Sequence, residues 1–306
     1  MSANSSSFTS AFSLLAPAKL NLFLHITGRR DDGYHQLQTL FQLLDFGDRL
    51  TFEPTQPGVI SLHCDYSLID TENSNSVSSS GSISSFSMPM DNNLIMQAAR
   101  RLQRLSGPNA EGVKITVKKK LPSGAGLGGG SSDAAATLIA LKRIWKLDLS
   151  EKRLCEIGLE LGADLPVFIQ GKSAWAEGIG EQLQPVDIEE SWYLVITPNC
   201  SVSTAEIFCH EHLTRNSPAI KMADFLAGRS RNDCESVTRE LYPQVHEALK
   251  WLSQFGEAKM TGTGSSIFAL YVDEESARQS LKKLPEQFSG FVAKGINSLE
   301  HRFNEA

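Results

Sequence analysis

The sequence predicts an α+β fold built on antiparallel sheet, and three observations carry that expectation. Val113-Lys114-Ile115-Thr116-Val117-Lys118 alternates apolar and polar residues strictly, as a strand with one buried and one wet face does, usually in an antiparallel sheet. Strand-like and helix-like stretches are intermixed without a regular βαβ repeat. At 306 residues, the chain suits two domains or one large one.

The elements follow in order. Residues 1–12 read as a loose tail. Residues 14–27 alternate partly and read as a strand, and 28–34 form a polar turn containing Asp32-Gly33. Residues 36–44 are mostly apolar, and 49–52 read as another strand. Ser and Asn dominate about 67–90, which cannot bury a core of its own and reads as a flexible surface insertion. Asp91-Asn92-Asn93 caps a helix over 94–105. The strand at 113–119 follows, then a glycine loop, helices at 133–146 and 151–161, and a strand at 166–170. A second region opens with a strand at 192–197 and continues with helical patterns at 219–227, 233–239 and 243–255. A small glycine turn leads into an apolar strand within 258–271. A helix at 274–284 and a strand at 290–294 close the chain, the strand placed to pack back on the first half. The expected division is 1–185 and 186–306.

The glycine loop carries the chemistry. Gly124, Gly126, Gly128, Gly129 and Gly130 lack Cβ atoms, so the backbone can take positive φ and approach a ligand closely. Ser131, Ser132 and Asp133 are suited to cap the helix that follows. Unpaired N–H groups and the positive end of a helix dipole make such a junction an anion site, typically for phosphate. Gly124-Ala125-Gly126-Leu127-Gly128-Gly129 satisfies the dinucleotide-binding pattern, but its context excludes that reading. The preceding strand alternates instead of running apolar throughout, and no acidic residue ends a second strand about 20 positions on. No Gly-Lys-Ser/Thr closes the segment, so it is not a Walker A loop either.

Composition narrows the classes further. A net charge of −6 gives no support for a nucleic-acid partner. The dense basic patch Lys118-Lys119-Lys120 lies directly before the glycine loop, where it would attract a polyanion. Cys64, Cys155, Cys200, Cys209 and Cys234 are scattered, odd in number and without C-x-x-C spacing, which argues for a reducing compartment and against a disulfide framework or zinc site. His210-Glu211-His212 reads as surface histidines, and no metal ligand set is expected. The first residues lack a basic signal-peptide start, and no stretch is long enough to span a membrane. The expected setting is the cytoplasm, without a membrane partner.

Three segments together resemble one family. They are Ala16-Pro17-Ala18-Lys19-Leu20-Asn21-Leu22, the loop Pro122-Ser123-Gly124-Ala125-Gly126-Leu127-Gly128-Gly129-Gly130-Ser131-Ser132, and Thr261-Gly262-Thr263-Gly264-Ser265-Ser266. In this order and spacing they resemble the GHMP kinase superfamily. The stretches 20–48 and 161–171 resemble the branch whose acceptor is 4-diphosphocytidyl-2-C-methyl-D-erythritol. The resemblance implies a two-domain GHMP kinase fold, with an N-terminal ATP-binding domain like domain 2 of ribosomal protein S5 and a C-terminal ferredoxin-like substrate domain. It implies ATP as phosphoryl donor with Mg²⁺, a small-molecule acceptor, and a monomer or homodimer. Asp164 would be the general base, and Lys19 would pair with it and polarise the acceptor hydroxyl. Residues 122–132 would cradle the phosphates, with Ser131 or Ser132 near the Mg²⁺. Gly262 and Gly264 would close over them, and Asn93 and Lys119 would lie on the nucleotide side. Tyr34 and Phe208 match a base-stacking pair, His35 a residue bonding the cytosine edge, and Asn21 and Thr204 positions near the methylerythritol and its phosphates. Ala125, Asp133 and His25 depart from the family's frequent residues. Two alternatives stay open here: another GHMP small-molecule kinase of homoserine or mevalonate type, and a non-catalytic nucleotide-binding sensor.

Overall fold

The computed structural model describes residues 8–68, 92–107 and 110–299, and the backbone at 304 and 305. Most of the Ser-rich insertion, from 69 on, lies outside the described residues. The chain opens on a long antiparallel hairpin of β1 (Phe12–Arg29) and β2 (His35–Thr55), with Phe12 opposite Phe52 and Arg29 opposite His35. Residues 8–12 are not loose: the Phe8 N–H donates to the Glu111 carboxylate at 3.0 Å, and its ring meets Phe12 edge-on. The two strand-like runs at 36–44 and 49–52 are one strand. Asp-Phe-Gly-Asp looks like a turn, but β2 absorbs it at a shift in register between Pro17 and Lys19. Gly47 permits this, since a Cβ there would lie 2.0 Å from the Ala16 carbonyl oxygen.

β4 (Gly112–Lys118) pairs antiparallel with β2. Its other neighbour is β3 (Ile60–Asp65), and that pairing is parallel, a departure from the all-antiparallel expectation. β5 (Ala174–Glu177) and β6 (Gln182–Pro185) form a hairpin on β2. Later in the chain come β7 (Trp192–Pro198), β8 (Ala258–Met260), β9 (Ile267–Tyr271) and β10 (Phe288–Ile296). β10 pairs with both β7 and β2, so one sheet runs through both halves. The backbone at Asn304–Glu305 pairs with β1.

Helices α1 (Leu94–Ser106), α2 (Gly129–Ile144), α3 (Glu151–Leu159) and α4 (Leu165–Gln170) bury their apolar sides on the first half of the sheet, where Leu14, Leu50 and Phe52 meet Ala98, Leu102, Leu138 and Leu141. α7 (Glu235–Leu241), α8 (Pro243–Leu252) and α9 (Glu274–Leu281) cover β7 and β9 around Leu194, Ile196, Val245 and Ala277. A third cluster joins the halves, with Leu20, Leu44 and Leu127 against Tyr193, Val195 and Phe291. β1 is covered on both faces, which is why its sequence alternates only in part.

One expected element has the wrong type. The strand expected at 166–170 is helix α4. Pro166 sits in its first turn, where a missing N–H costs nothing, and Gly171 ends it in the left-handed region at φ 62°. Two short helices were not anticipated with these bounds: α5 (Thr204–Cys209), capped by Ser203, and α6 (Met222–Leu226) within the 219–227 pattern.

Candidate active site

The glycine loop folds as an anion cradle, with one correction to its end. α2 starts at Gly129, and its capping residue is Gly128, left-handed at φ 74° with no side-chain cap bond. Ser131, Ser132 and Asp133 therefore lie inside the first turns of the helix rather than capping it. The leading N–H groups of α2 are left for a ligand. Gly124 and Gly126 are also left-handed, at φ 66° and 77°, whereas Ala125 is not, so its methyl is tolerated. β1 holds the loop through the Lys19 N–H, which donates to the Leu127 carbonyl at 3.0 Å. The second glycine turn packs on the first: the Ser266 N–H donates to the Ala125 carbonyl at 3.1 Å.

The loop stands between two cavities. One, of about 440 Å³, is lined by Asn93, Lys119, each residue from Pro122 to Ser131, and Asp133. The other, of about 670 Å³, is lined by Lys19, Asn21, Tyr34, His35, Asp164, Thr204, Phe208, Gly262 and Thr263. Gly126, Gly128 and Ser131 line both. Ser132 and Gly264 line neither. Ser132 is buried with its hydroxyl unpartnered. Gly264 instead faces Met260 and Thr238.

Lys19 and Asp164 meet at this partition. Lys19, on β1, is 4% exposed. Its Nζ lies 3.6 Å from Asp164 Oδ2 and donates to Asn21 Oδ1 at 2.5 Å. Asn21 is fixed in turn: its Nδ2 donates to Thr39 Oγ1 at 2.9 Å, and its N–H to Thr261 Oγ1 at 2.8 Å. Asp164 occupies the capping position of α4 but makes no cap bond, and its ion pair is with Lys19. The closing turn is held from behind by Asn232, whose Nδ2 donates to the Met260 and Gly262 carbonyls at 2.8 Å each. Thr238 Oγ1 donates to the Thr263 carbonyl, and the Thr204 and Thr263 hydroxyls are 3.1 Å apart.

The basic patch does not act as one. Lys118 is exposed, and Lys120 lies over the Phe46 ring at 5.4 Å. Lys119 is buried, bonding Asp48 and, at 2.7 Å, Asp133. Asp48 is fully buried and also accepts the Lys120 and Leu121 N–H groups, at 2.5 and 2.9 Å, at the entry to the glycine loop. Two carboxylates share one ammonium. Burial pushes the Asp133 carboxyl well above its ordinary range, against the pull of Lys119 and helped by the Asp48 charge. A carboxyl raised in the fold favours the folded state only while protonated, so its ionisation erodes stability progressively as pH rises from the unfolded value to the raised one. Asp133→Asn is therefore expected to stabilise the protein at pH 8, on the order of 1 kcal/mol, and less at pH 5. Denaturant melts at both pH values check this; equal gains at the two would contradict it.

The far wall of the larger cavity carries aromatic groups. Tyr34 is 60% exposed in the turn between β1 and β2. The His35 ring stacks on Phe208, centroids 5.0 Å apart and planes 22° off parallel. Tyr34 and Phe208 thus share a cavity, while the ring already against Phe208 is His35. The sequence reading missed Arg215, which bonds His35 and the carbonyls around Phe208; a lone arginine between polar residues gives no signal. It also missed Asp48, Thr39 and Asn232, whose partners are remote in sequence. His25 is 2% exposed, placed between the Pro218 carbonyl and the Arg231 N–H, and burial lowers its pKa. The His210 and His212 pair gains Glu240, with ligand atoms all within 4.8 Å. His212 and Glu240 are exposed, and none of the three lines either cavity.

A phosphate-type loop, a buried lysine paired with an aspartate, and separate cavities on either side define a small-molecule phosphotransferase. The comparisons agree. Models of the GHMP kinases N terminal domain and GHMP kinases C terminal match residues 93–172 and 215–290. A 4-diphosphocytidyl-2-C-methyl-D-erythritol kinase of Pseudomonas aeruginosa (strain LESB58) is 51% identical over 291 residues, 95% of this chain and 96% of that protein. The Marinobacter nauticus enzyme of that name is 48% identical, over 93% of this chain and 94% of its own. A crystal structure of 4-(cytidine 5'-diphospho)-2C-methyl-D-erythritol kinase superposes with a TM-score of 0.75 at 30% identity, covering 92% of this chain and 98% of that one. Methanococcus jannaschii mevalonate kinase shares the fold, with a TM-score of 0.64 at 17% identity over 96% of this chain and all of its own. The chain belongs to the GHMP kinase superfamily and, within it, to the 4-diphosphocytidyl-2-C-methyl-D-erythritol kinase family.

Proposed function

We propose that this chain transfers the terminal phosphoryl group of ATP to the 2-hydroxyl of 4-diphosphocytidyl-2-C-methyl-D-erythritol, giving the 2-phosphate and ADP, in the methylerythritol phosphate route to isopentenyl diphosphate. The observation that carries this reading is the placement of Lys19 and Asp164 in the acceptor cavity, beside the glycine residues shared by both cavities. Phosphoryl transfer needs a positioned hydroxyl, charge neutralisation and a proton acceptor more than it needs covalent chemistry. Asp164 Oδ2 would accept the hydroxyl proton as the acceptor oxygen attacks phosphorus. Lys19 would orient the same hydroxyl and offset the charge that develops on the transferring group. Asn21 and Thr39 keep the ammonium aimed, and the N–H groups of 124–131 would hold the donor phosphates.

The residues present fit nucleotide and Mg²⁺. Side chains at Gly126 and Gly128 would collide with the Thr261 carbonyl and the Phe168 ring, so the cradle is kept as bare backbone, and the Ser132 hydroxyl and Asp133 Oδ1 are buried polar atoms without partners among the described residues. An ion of this kind is held largely by phosphates and water, and the Ser131 hydroxyl, in the lining of the smaller cavity, would help hold it. When bound, Mg²⁺ supplies neutralisation of phosphate charge. Asn93, Lys119 and Pro122 to Ser131 would form the nucleotide side, with Ser132 buried behind it and Gly262 and Gly264 in the closing turn. The 1–185 part would carry the donor loop and base, and the 186–306 part the closing turn and Phe208. Monomer and homodimer both fit this chemistry, and the reaction would run in the cytoplasm. Among the described residues no helix is long and apolar enough to cross a membrane.

On the acceptor side, Tyr34 and Phe208 would hold the cytosine, His35 would bond its edge, and Asn21 and Thr204 would face the sugar and phosphates. Stacking on an aromatic ring contributes about 1–3 kcal/mol per base. Phe208→Ala should therefore raise KM for the cytidyl acceptor by about 5- to 160-fold while KM for ATP stays unchanged. A parallel rise in both KM values in steady-state assays would count against the stacking role. The reading as a whole is checked by incubating the purified protein with Mg-ATP and the cytidyl acceptor. ADP and a new phosphomonoester should appear together by phosphorus NMR; no ADP above the acceptor-free background refutes it.

A further inference from the structure

A guanidinium can only donate hydrogen bonds. Arg215 Nε lies 3.2 Å from His35 Nε2, so that ring nitrogen accepts and carries no proton. The rest of the guanidinium is committed to backbone carbonyls: Nη1 to Leu213 at 3.1 Å, and Nη2 to Phe208 at 3.0 Å and His210 at 2.7 Å. The arginine thus cannot turn away without giving up those carbonyl bonds. Burial, Arg215 and Arg29 all lower the His35 pKa, which keeps the ring neutral at physiological pH. A neutral ring with a bare Nε2 must carry its hydrogen on Nδ1. Nδ1 has no hydrogen-bond partner among the described residues, and His35 lines the acceptor cavity. The stack on Phe208 restricts the ring to one plane.

We infer that Arg215 is a positioning residue that locks His35 as the Nδ1–H tautomer, so that the imidazole offers a donor to ring N3 of cytosine and rejects uracil. The two pyrimidines differ at that atom: N3 is a bare acceptor in cytosine and an N–H donor in uracil. A donor facing a donor leaves both unsatisfied in a partly dry site, and such a mismatch discriminates more strongly than shape does. The inference rests on the acceptor reading above, and it names what enforces the base preference.

Two measurements test it. Long-range proton–nitrogen correlation spectra of histidine-labelled protein at pH 7.5, with His35 assigned by its loss in His35→Gln, should show a protonated Nδ1 and a bare Nε2. In Arg215→Met the His35 signal should move toward the other tautomer. The ratio of kcat/KM for the cytidyl acceptor to that for its uridyl analogue should fall at least about tenfold in Arg215→Met, with KM for ATP unchanged. A wild-type His35 protonated on Nε2 overturns the inference even if the variant fails to fold, and so does a folded variant that keeps full discrimination. Absence of turnover of the cytidyl acceptor by wild type would strike the acceptor reading instead, while the spectra still decide the tautomer.

Discussion

Asp164→Ala is expected to lower kcat by about 10²- to 10⁴-fold, the usual contribution of a positioned general base, and to leave KM for ATP nearly unchanged. Asp164 lies 3.6 Å from Lys19 and lines the larger cavity but not the smaller one, so its removal would take away the proposed proton acceptor without touching the donor cradle. The fold should tolerate the change, since Asp164 makes no cap bond at the start of α4 and Lys19 keeps its bond to Asn21. Asp164→Asn keeps the shape and removes the basicity, so it should fall as far as the alanine variant. Near-normal turnover in either, with an unchanged melting curve, would remove Asp164 from the mechanism.

The second large effect is expected at Gly126. A Cβ there would sit 2.5 Å from the Thr261 carbonyl oxygen and 3.0 Å from that of Gly264, on a residue at φ 77°. Alanine would force the two glycine turns apart and hold a left-handed conformation that costs about 1–2 kcal/mol. Because those turns close on each other at the partition, kcat/KM for ATP should drop by on the order of 10²-fold, since misplacement by about 1 Å has that effect. Gly130→Ala is the comparison: its Cβ would come no closer than 3.8 Å to Leu94, and its φ is not left-handed. A smaller loss is expected there. Equal losses at both positions would mean that the contact between the turns does not matter.

Much of the site was legible because its parts are local patterns. Glycines at 124, 126 and 128 announce a backbone that needs left-handed φ, and all three have it. The alternating strand before them separated this loop from a dinucleotide fold, and β4 has its wet face as expected. What failed depended on tertiary context. The apolar run 166–170 has no period to distinguish strand from helix, although Pro166 and Gly171 were punctuation for a short helix. Asp-Phe-Gly-Asp at 45–48 has turn composition, yet a bulge absorbs it, and Asp48 turns inward to hold Lys119 and the loop entry. Lys119 in a basic run looks solvated; only the fold reveals the two carboxylates that enclose it. Arg215 meets a ring nitrogen, and Asn232 a carbonyl, far away in sequence, so no spacing could announce them.

The central claim is that one catalytic pair serves a cytidyl acceptor across the glycine loop. It is tested most directly by one panel: purified protein, Mg-ATP, and in turn the cytidyl methylerythritol acceptor, homoserine and mevalonate, with ADP release as readout. The account predicts turnover with the cytidyl acceptor alone, lowered by at least about 10²-fold in Asp164→Ala. Equal or faster turnover of homoserine or mevalonate, or ATP binding without turnover of any of the three, would contradict it.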